Sequence, residues 1–327
     1  MSASRTAWQE AFLSGERRAL ARAISAAEND PLVVQAFLRE HSQRLGRARI
    51  IGITGPPGAG KSTLTGCLAT ELAKRGFSLG LLLVDPSSPF TGGAILGDRL
   101  RLPEVAQHPQ VFVRSMSSRG SMGGLSKATS DAVKLLDAFG KDIVLIETVG
   151  TGQAETDIIS VADSVVVVSV PGLGDDIQAM KAGILEIADL FVVNKADREG
   201  SDKTERELLH MLKMQPPPSG WSVPVIKTVA VKNEGIVELA DQLLAHYDFL
   251  QQSGLLAKQR AARAQAELNE LLRSRIMQEL EAQLGPACYE ELTQQIVTGK
   301  LSVYDAASEL WQQFLVRITQ KGGSAHD

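Results

Sequence analysis

The sequence predicts an α/β protein: a doubly wound, mostly parallel sheet with helical extensions at both ends. Three observations carry this. Short, near-continuous apolar runs recur at Arg49–Thr54, Leu79–Val84, Val111–Arg114, Ile143–Ile146, Ser164–Val170, Leu190–Val193 and Val223–Thr228, as strands buried on both faces require. Amphipathic stretches separate most of these runs. The first run also leads directly into a Gly-rich turn followed by a helical pattern.

Taken in order, residues 1–47 read as a helical segment. Trp8, Phe12, Leu20 and Ile24 recur at multiples of four, and Leu32, Val33, Phe37, His41 and Leu45 form a second stripe after Pro31. Residues 48–254 hold the strand–helix alternation. From about Leu255 the strands stop, and residues 255–327 read as a helical arm. Leu268, Leu272, Ile276, Leu280 and Leu284 step by four until Gly285-Pro286 ends the pattern. The length of that helix and its Leu/Ile stripe favour a homodimer arm over an internal cap. Helical segments follow around Tyr289–Val297 and Val303–Ile318, the second with Ser302 as its N-cap. Lys321–Asp327 reads as a frayed tail.

Composition narrows the function classes. The 327 residues carry 34 Lys+Arg against 38 Asp+Glu, a net charge of −4, which argues against a broad basic face for nucleic acid. Cys67 and Cys288 are too few for a disulfide scaffold or a four-cysteine zinc site, so a reducing compartment fits. No apolar run approaches the roughly 18 residues of a membrane span, and the first residues are polar and helix-patterned. The expectation is a cytoplasmic protein with neither a membrane nor a nucleic acid as partner.

Gly55-Pro56-Pro57-Gly58-Ala59-Gly60-Lys61-Ser62 satisfies G-x-x-x-x-G-K-[ST] in full, with Thr63 opening the next helix. Glycines at this spacing let backbone N–H groups turn inward around a β-phosphate, and the helix presents its positive N-terminus. Lys61 supplies a cation for the β- and γ-phosphates, and the Ser62 hydroxyl is the expected Mg²⁺ ligand. The ordinary alternative, a Gly-rich strand–helix turn, does not require the Lys-Ser pair.

Asn194-Lys195-Ala196-Asp197 follows the sixth apolar run and selects the base. An Asp carboxylate accepts from both N1–H and the exocyclic amine of guanine, a pair adenine does not offer in that arrangement. The Lys stem packs on the purine, and the Asn ties this loop to the phosphate loop. The residues therefore point to GTP and GDP. Val229 and Ala230, after the last run, sit where a backbone N–H would complete base recognition, with Val229 where many GTPases carry Ser.

Acids close or follow several strands. Asp85 ends LGLLLVD, Asp98 follows a Gly-rich stretch, and Glu147 opens Glu147-Thr148-Val149-Gly150. Each taken singly is a turn or solvated carboxylate as readily as a ligand. As a group around a complete phosphate loop they suit Mg²⁺ and water handling, and the Gly150 N–H suits a γ-phosphate. No Gln directly follows Gly150, and Gln153 comes two residues later than a water-orienting residue should, which predicts low intrinsic turnover.

The blocks VDPSSPFTGGAILGDR (84–99), RSMSSRGSMGG (114–124), ETVGTGQAE (147–155) and PGLGDDIQAMKAGILEIADLFVVNKAD (171–197) resemble the MeaB family of P-loop GTPases. These belong to the SIMIBI branch and include the methylmalonic aciduria type A protein and bacterial proteins once labelled ArgK. The resemblance implies a slow, dimeric GTPase that binds an adenosylcobalamin-dependent acyl-CoA mutase of the methylmalonyl-CoA mutase type. It would gate delivery of the cobalamin cofactor and protect the mutase. Lys61 and Ser62 match the phosphate loop of the family. Asp85, Asp98 and Glu147 match the acids around Mg²⁺ and the attacking water. Gly172–Lys181 matches an extra switch segment, with Lys181 its basic residue. Thr151 and Ala154 stand where Val and Ser are more usual.

Other residues carry less. Cys67 reads as a small core residue, and Trp221 and Trp311 as packing. His41, His108, His210, His246 and His326 are scattered without metal-ligand spacing. That spacing, with the absence of His-rich or Cys-rich tracts, weighs against a nickel-delivery metallochaperone. A small-molecule kinase linked to transport is the remaining alternative, and no acceptor pocket is apparent for it.

Overall fold

A computed structural model describes residues 3–85, 102–117, 127–148, 157–172, 184–214 and 220–323. It holds seven strands: β1 (Arg49–Thr54), β2 (Leu79–Asp85), β3 (Val111–Ser117), β4 (Ile143–Thr148), β5 (Ser164–Ser169), β6 (Leu190–Asn194) and β7 (Val225–Thr228). They form one sheet in the order β3-β2-β4-β1-β5-β6-β7, and every pairing is parallel. The chain builds one side through β2 and β3, returns to β4, then builds the other side through β5, β6 and β7. The topological switch therefore lies at β1, where sheets of this kind open a ligand crevice. The last strand begins two residues later than its apolar run because Pro224 has no N–H for a ladder; its carbonyl still accepts from Phe191 N at 2.9 Å.

Period-2 alternation divides the strand side chains between two covered faces. Ile51, Ile53, Leu79, Leu81, Leu83, Ile143 and Leu145 pack with the helices Lys61–Lys74 and Ile236–Gln252. Leu82, Val84, Val144 and Ile146 face the opposite way. There they meet the helix Lys127–Ala138 and the N-terminal helices Ala3–Leu13, Arg17–Asn29 and Pro31–Glu40. The N-terminal helices are thus a cover for the sheet. Phe12 anchors them, with edge-on contacts to Phe37 at 5.0 Å and Phe139 at 5.1 Å between centroids.

One stripe differs from its sequence reading. Leu32 is 75% exposed, whereas Val34, Phe37 and Leu38 are buried. The helix starts at Pro31, so its inward face runs through 34, 37, 38 and 41; Leu32 lies about 160° around from Val34 at 100° per residue.

The chain divides into two compact units, 1–259 and 260–327. The long helix Leu255–Leu284 contains the boundary. In the second unit, Leu280, Leu284 and Phe314 form a small core joined by Cys288, Tyr289 and Leu310. The final helix, Val303–Gly323, is capped by Ser302, whose Oγ accepts from Asp305 N at 3.1 Å and donates to its carboxylate at 2.6 Å. This helix runs to Gly323, three residues into the segment read as a tail.

Candidate nucleotide site

Because all strands are parallel, their C-terminal ends share one edge, and the residues just past them converge there. Residues 55–60 link β1 to the helix Lys61–Lys74. Two glycines make that turn possible. Gly55 has φ +138°, and a Cβ on it would lie 2.2 Å from Val168 O; Gly60 has φ +83°, and its Cβ would lie 2.6 Å from Asn194 Nδ2. Only a residue without a side chain fits either place. Lys61 is buried and donates to Gly55 O at 2.6 Å and Pro56 O at 2.9 Å, so its ammonium lies over the loop.

Register brings an acid to the same place. In the β1–β4 pairing Ile53 lies opposite Glu147, which puts Glu147 beside the strand that feeds the turn. The Ser62 hydroxyl donates to Glu147 Oε1 at 2.6 Å, a charge-assisted bond at the first turn of the helix. One residue further along, Thr148 Oγ1 donates to Thr54 Oγ1 at 3.0 Å, both fully buried, and fixes the two strand ends together.

The Asn194–Asp197 loop closes on the same turn from β6. Asn194 is buried; its Nδ2 donates to Ala59 O at 2.8 Å, and its Oδ1 accepts from Thr228 Oγ1 at 3.0 Å and Ala230 N at 3.2 Å. One amide thereby joins three loops. Lys195 holds φ +56°, an uncommon left-handed conformation for a side-chain-bearing residue, and donates from Nζ to Gly58 O at 2.6 Å. Asp197 is exposed, with Oδ2 3.3 Å from Lys232 Nζ. The Val229 and Ala230 N–H groups already serve Glu234 O (3.2 Å) and Asn194 respectively, so base contacts from this segment compete with internal bonds.

Of the expected residues, Gly55 through Thr63, Glu147, Asn194, Lys195, Asp197, Val229 and Ala230 gather on this edge. Asp85 is the last residue of β2 on the same edge, by its backbone. Asp98, Gly150 and Lys181 lie outside the described residues, as do the side chain of Asp85 and much of the blocks 84–99, 114–124, 147–155 and 171–197.

A residue family model described as methylmalonyl-CoA mutase-associated GTPase MeaB matches residues 20–284. The chain belongs to the MeaB family. A Pyrococcus abyssi protein, itself designated a GTPase only provisionally, is 46% identical over 309 residues, 94% of this chain and 95% of the relative. A Caenorhabditis elegans mitochondrial homologue of the methylmalonic aciduria type A protein is 32% identical over 329 residues, 93% of this chain and 82% of the relative. The solved structure of a LAO/AO transport system kinase superposes with a TM-score of 0.73 at 24% identity, covering 95% of this chain and 98% of that one. That likeness carries the fold alone. MeaB membership brings guanine-nucleotide binding with it. Among the described residues no helix is long and apolar enough to cross a membrane.

A second buried polar cluster sits at the opposite, N-terminal edge of the sheet, and sequence reasoning missed it. His246 Nδ1 lies 2.8 Å from Ser164 Oγ, and Nε2 lies 3.4 Å from Asp189 Oδ1. Asp189 also accepts from Val165 N at 2.8 Å through its carboxylate and from Trp221 Nε1 at 2.9 Å through its carbonyl. Burial pushes His246 down to about 4 and Asp189 up to about 7. The cluster clamps the helix Ile236–Gln252 to β5 and β6. Its members are scattered along the chain, so no local pattern could have found it.

Proposed function

We propose that this MeaB-family chain hydrolyses GTP slowly and uses the cycle to serve an adenosylcobalamin-dependent acyl-CoA mutase of the methylmalonyl-CoA mutase type. It would gate cofactor delivery and protect or reactivate the mutase. The observation that carries the nucleotide half is the Ser62–Glu147 contact beside a turn that admits no side chain at Gly55 or Gly60. The mutase half rests on the family and on the C. elegans relative.

The donor set suits Mg²⁺. Ligand oxygens along one edge of its octahedron lie about 2.9 Å apart, from metal–oxygen distances of about 2.0–2.1 Å. Ser62 Oγ and Glu147 Oε1, at 2.6 Å, need little adjustment to occupy two such positions. Bound there, the ion would neutralise charge on the β- and γ-phosphate oxygens. Asp85 and Asp98 are the further acids of the set.

This chain's own part is positioning and charge. Backbone N–H groups of Gly58, Ala59 and Gly60 and the N-terminus of the helix Lys61–Lys74 would hold the β-phosphate. Lys61 would exchange its two carbonyl partners for phosphate oxygens, a favourable trade for a buried cation. Asp197 would read the guanine edge, Gly150 would donate to the γ-phosphate, and Glu147 with Lys181 would complete the hydrolytic set. The missing Gln after Gly150 accounts for slow turnover, raised when the mutase orders the switch segments.

Homodimerisation through the C-terminal arm belongs to the same proposal. Leu268, Leu272 and Ile276 are 55%, 49% and 45% exposed along one stripe of the helix Leu255–Leu284, an apolar row that a second copy would cover. The test of the mutase reading is co-purification of the chain with methylmalonyl-CoA mutase, with an affinity that differs between GDP and a non-hydrolysable GTP analogue. A chain that ignores the mutase in every nucleotide state would overturn it.

A further inference from the structure

Among the described residues, the strand-end edge holds a charged contact that the nucleotide reading does not use: Lys232 Nζ against Asp197 Oδ2 at 3.3 Å. We infer that Lys232 is a positioning residue for guanine specificity, holding the Asp197 carboxylate at the angle needed to grip both N–H groups of the base. The inference rests on the proposal that Asp197 reads guanine.

Lys232 is well placed to do this because its backbone is fixed. It ends a short 3₁₀ turn, Ala230–Lys232. Lys232 N donates to Val229 O at 2.8 Å and Asn233 N to Ala230 O at 3.0 Å. Val229 and Glu234 exchange backbone bonds at 3.2 and 3.3 Å across the base of the turn. Asn233 takes φ +59° and Gly235 φ +75°. A Cβ on Gly235 would lie 2.1 Å from Lys227 O, so the turn is pressed against β7. Ala230, whose carbonyl closes the turn, donates its N–H to Asn194 Oδ1, three residues before Asp197. Both partners of the ion pair therefore hang from one hydrogen-bonded frame.

The chemistry favours cooperation with the base over competition. A carboxylate has about four lone-pair directions, so Oδ2 can face an ammonium and still accept from a base, leaving Oδ1 for the second base donor. At 3.3 Å the contact is longer than a strong charge-assisted bond of about 2.7–2.9 Å. It steers the carboxylate by charge without consuming it. Both side chains are about half exposed, so the effect is modest: about two- to fivefold in affinity, falling with salt.

The experiment measures GDP and IDP affinity by calorimetry for the full-length protein and for K232M, K232R, D197A and K232M/D197A. IDP lacks the exocyclic amine, so the ratio of the two affinities reports the second hydrogen bond to Asp197. Expected are a two- to fivefold weaker GDP affinity in K232M with a narrowed GDP:IDP ratio, recovery of both in K232R, and no added loss in K232M/D197A over D197A. Unchanged GDP affinity in K232M, tighter GDP binding, or equal weakening of GDP and IDP would each overturn the role of Lys232 while D197A still weakens GDP. Wild-type GDP affinity in D197A would overturn the guanine reading itself, and this inference with it.

Discussion

Ser62 Oγ donates to Glu147 Oε1 at 2.6 Å, joining the first helical turn after β1 to the end of β4. The two residues are 85 positions apart; the β1–β4 register and the turn at residues 55–60 bring them together. If this pair holds Mg²⁺, Ser62→Ala should lower GTP turnover by about 10–100-fold and raise the Mg²⁺ concentration for half-maximal activity, while Mg²⁺-free GDP binding changes little. Glu147→Gln keeps the shape and removes the charge, and should shift the Mg²⁺ curve the same way. A Mg²⁺ titration checks both; an unmoved midpoint in each variant counts against the assignment.

The turn itself should be intolerant of a single methyl group. Gly55→Ala meets Val168 O at 2.2 Å, a backbone atom that cannot move aside, and forces an L-residue to φ +138°. The expected cost is about 1–3 kcal/mol of stability, with loss of nucleotide binding because β1 and β5 are pushed apart at the loop. Thermal melts with and without GDP would test this. A variant that melts normally and still gains stability from GDP would contradict the packing described.

The His246–Asp189 pair predicts opposite pH responses for its two single variants. Burial pushes His246 down to about 4 and Asp189 up to about 7, so the folded pair holds one proton between those values. In the unfolded chain it also carries one, on His246, between about pH 4 and 6.5. The two states bind equal numbers of protons over that range, so the pair leaves wild-type stability nearly flat there. Asp189→Asn unmasks His246, whose lowered folded value makes stability fall as pH drops from about 6.5 to 4, by at most about 1.4 kcal/mol per unit. His246→Gln unmasks Asp189, whose raised folded value makes stability fall as pH rises from about 4 to 7. Urea melts across this range decide the matter: two slopes of the same sign would refute the pairing.

Much of this architecture is visible in the residues themselves. The seven apolar runs match the seven strands to within a few residues, because a strand buried on both faces has no polar position to blur it. The turn from Gly55 to Ser62 and the Asn194–Asp197 loop are equally legible, since their chemistry needs particular residue types at fixed spacing. Leu32 misleads because a stripe drawn through it ignores where Pro31 starts the helix. His246 looked like one of several scattered histidines; its partners Ser164 and Asp189 come from other elements, and only the sheet order joins them. Lys232 is no more legible. A charged residue just past a strand has no sequence mark that separates a solvated lysine from one aimed at Asp197.

Covering of the C-terminal stripe is testable without touching the nucleotide edge. Leu272→Asp combined with Ile276→Asp places two charges on the exposed row of Leu255–Leu284. Light scattering should report a monomer for this variant and a dimer for the parent, with GDP affinity unchanged. A parent that runs as a monomer at micromolar concentration would remove the arm from the proposal.

Steady-state GTP turnover with and without purified methylmalonyl-CoA mutase decides whether this GTPase cycle answers to an acyl-CoA mutase. Lys61→Ala is the control and should lose at least about 10²-fold, since it removes the cation drawn over the loop by Gly55 O and Pro56 O. Expected are slow turnover alone, a clear saturable rise on adding mutase, and neither in Lys61→Ala. Turnover indifferent to the mutase, or unchanged by loss of Lys61, would contradict the proposal.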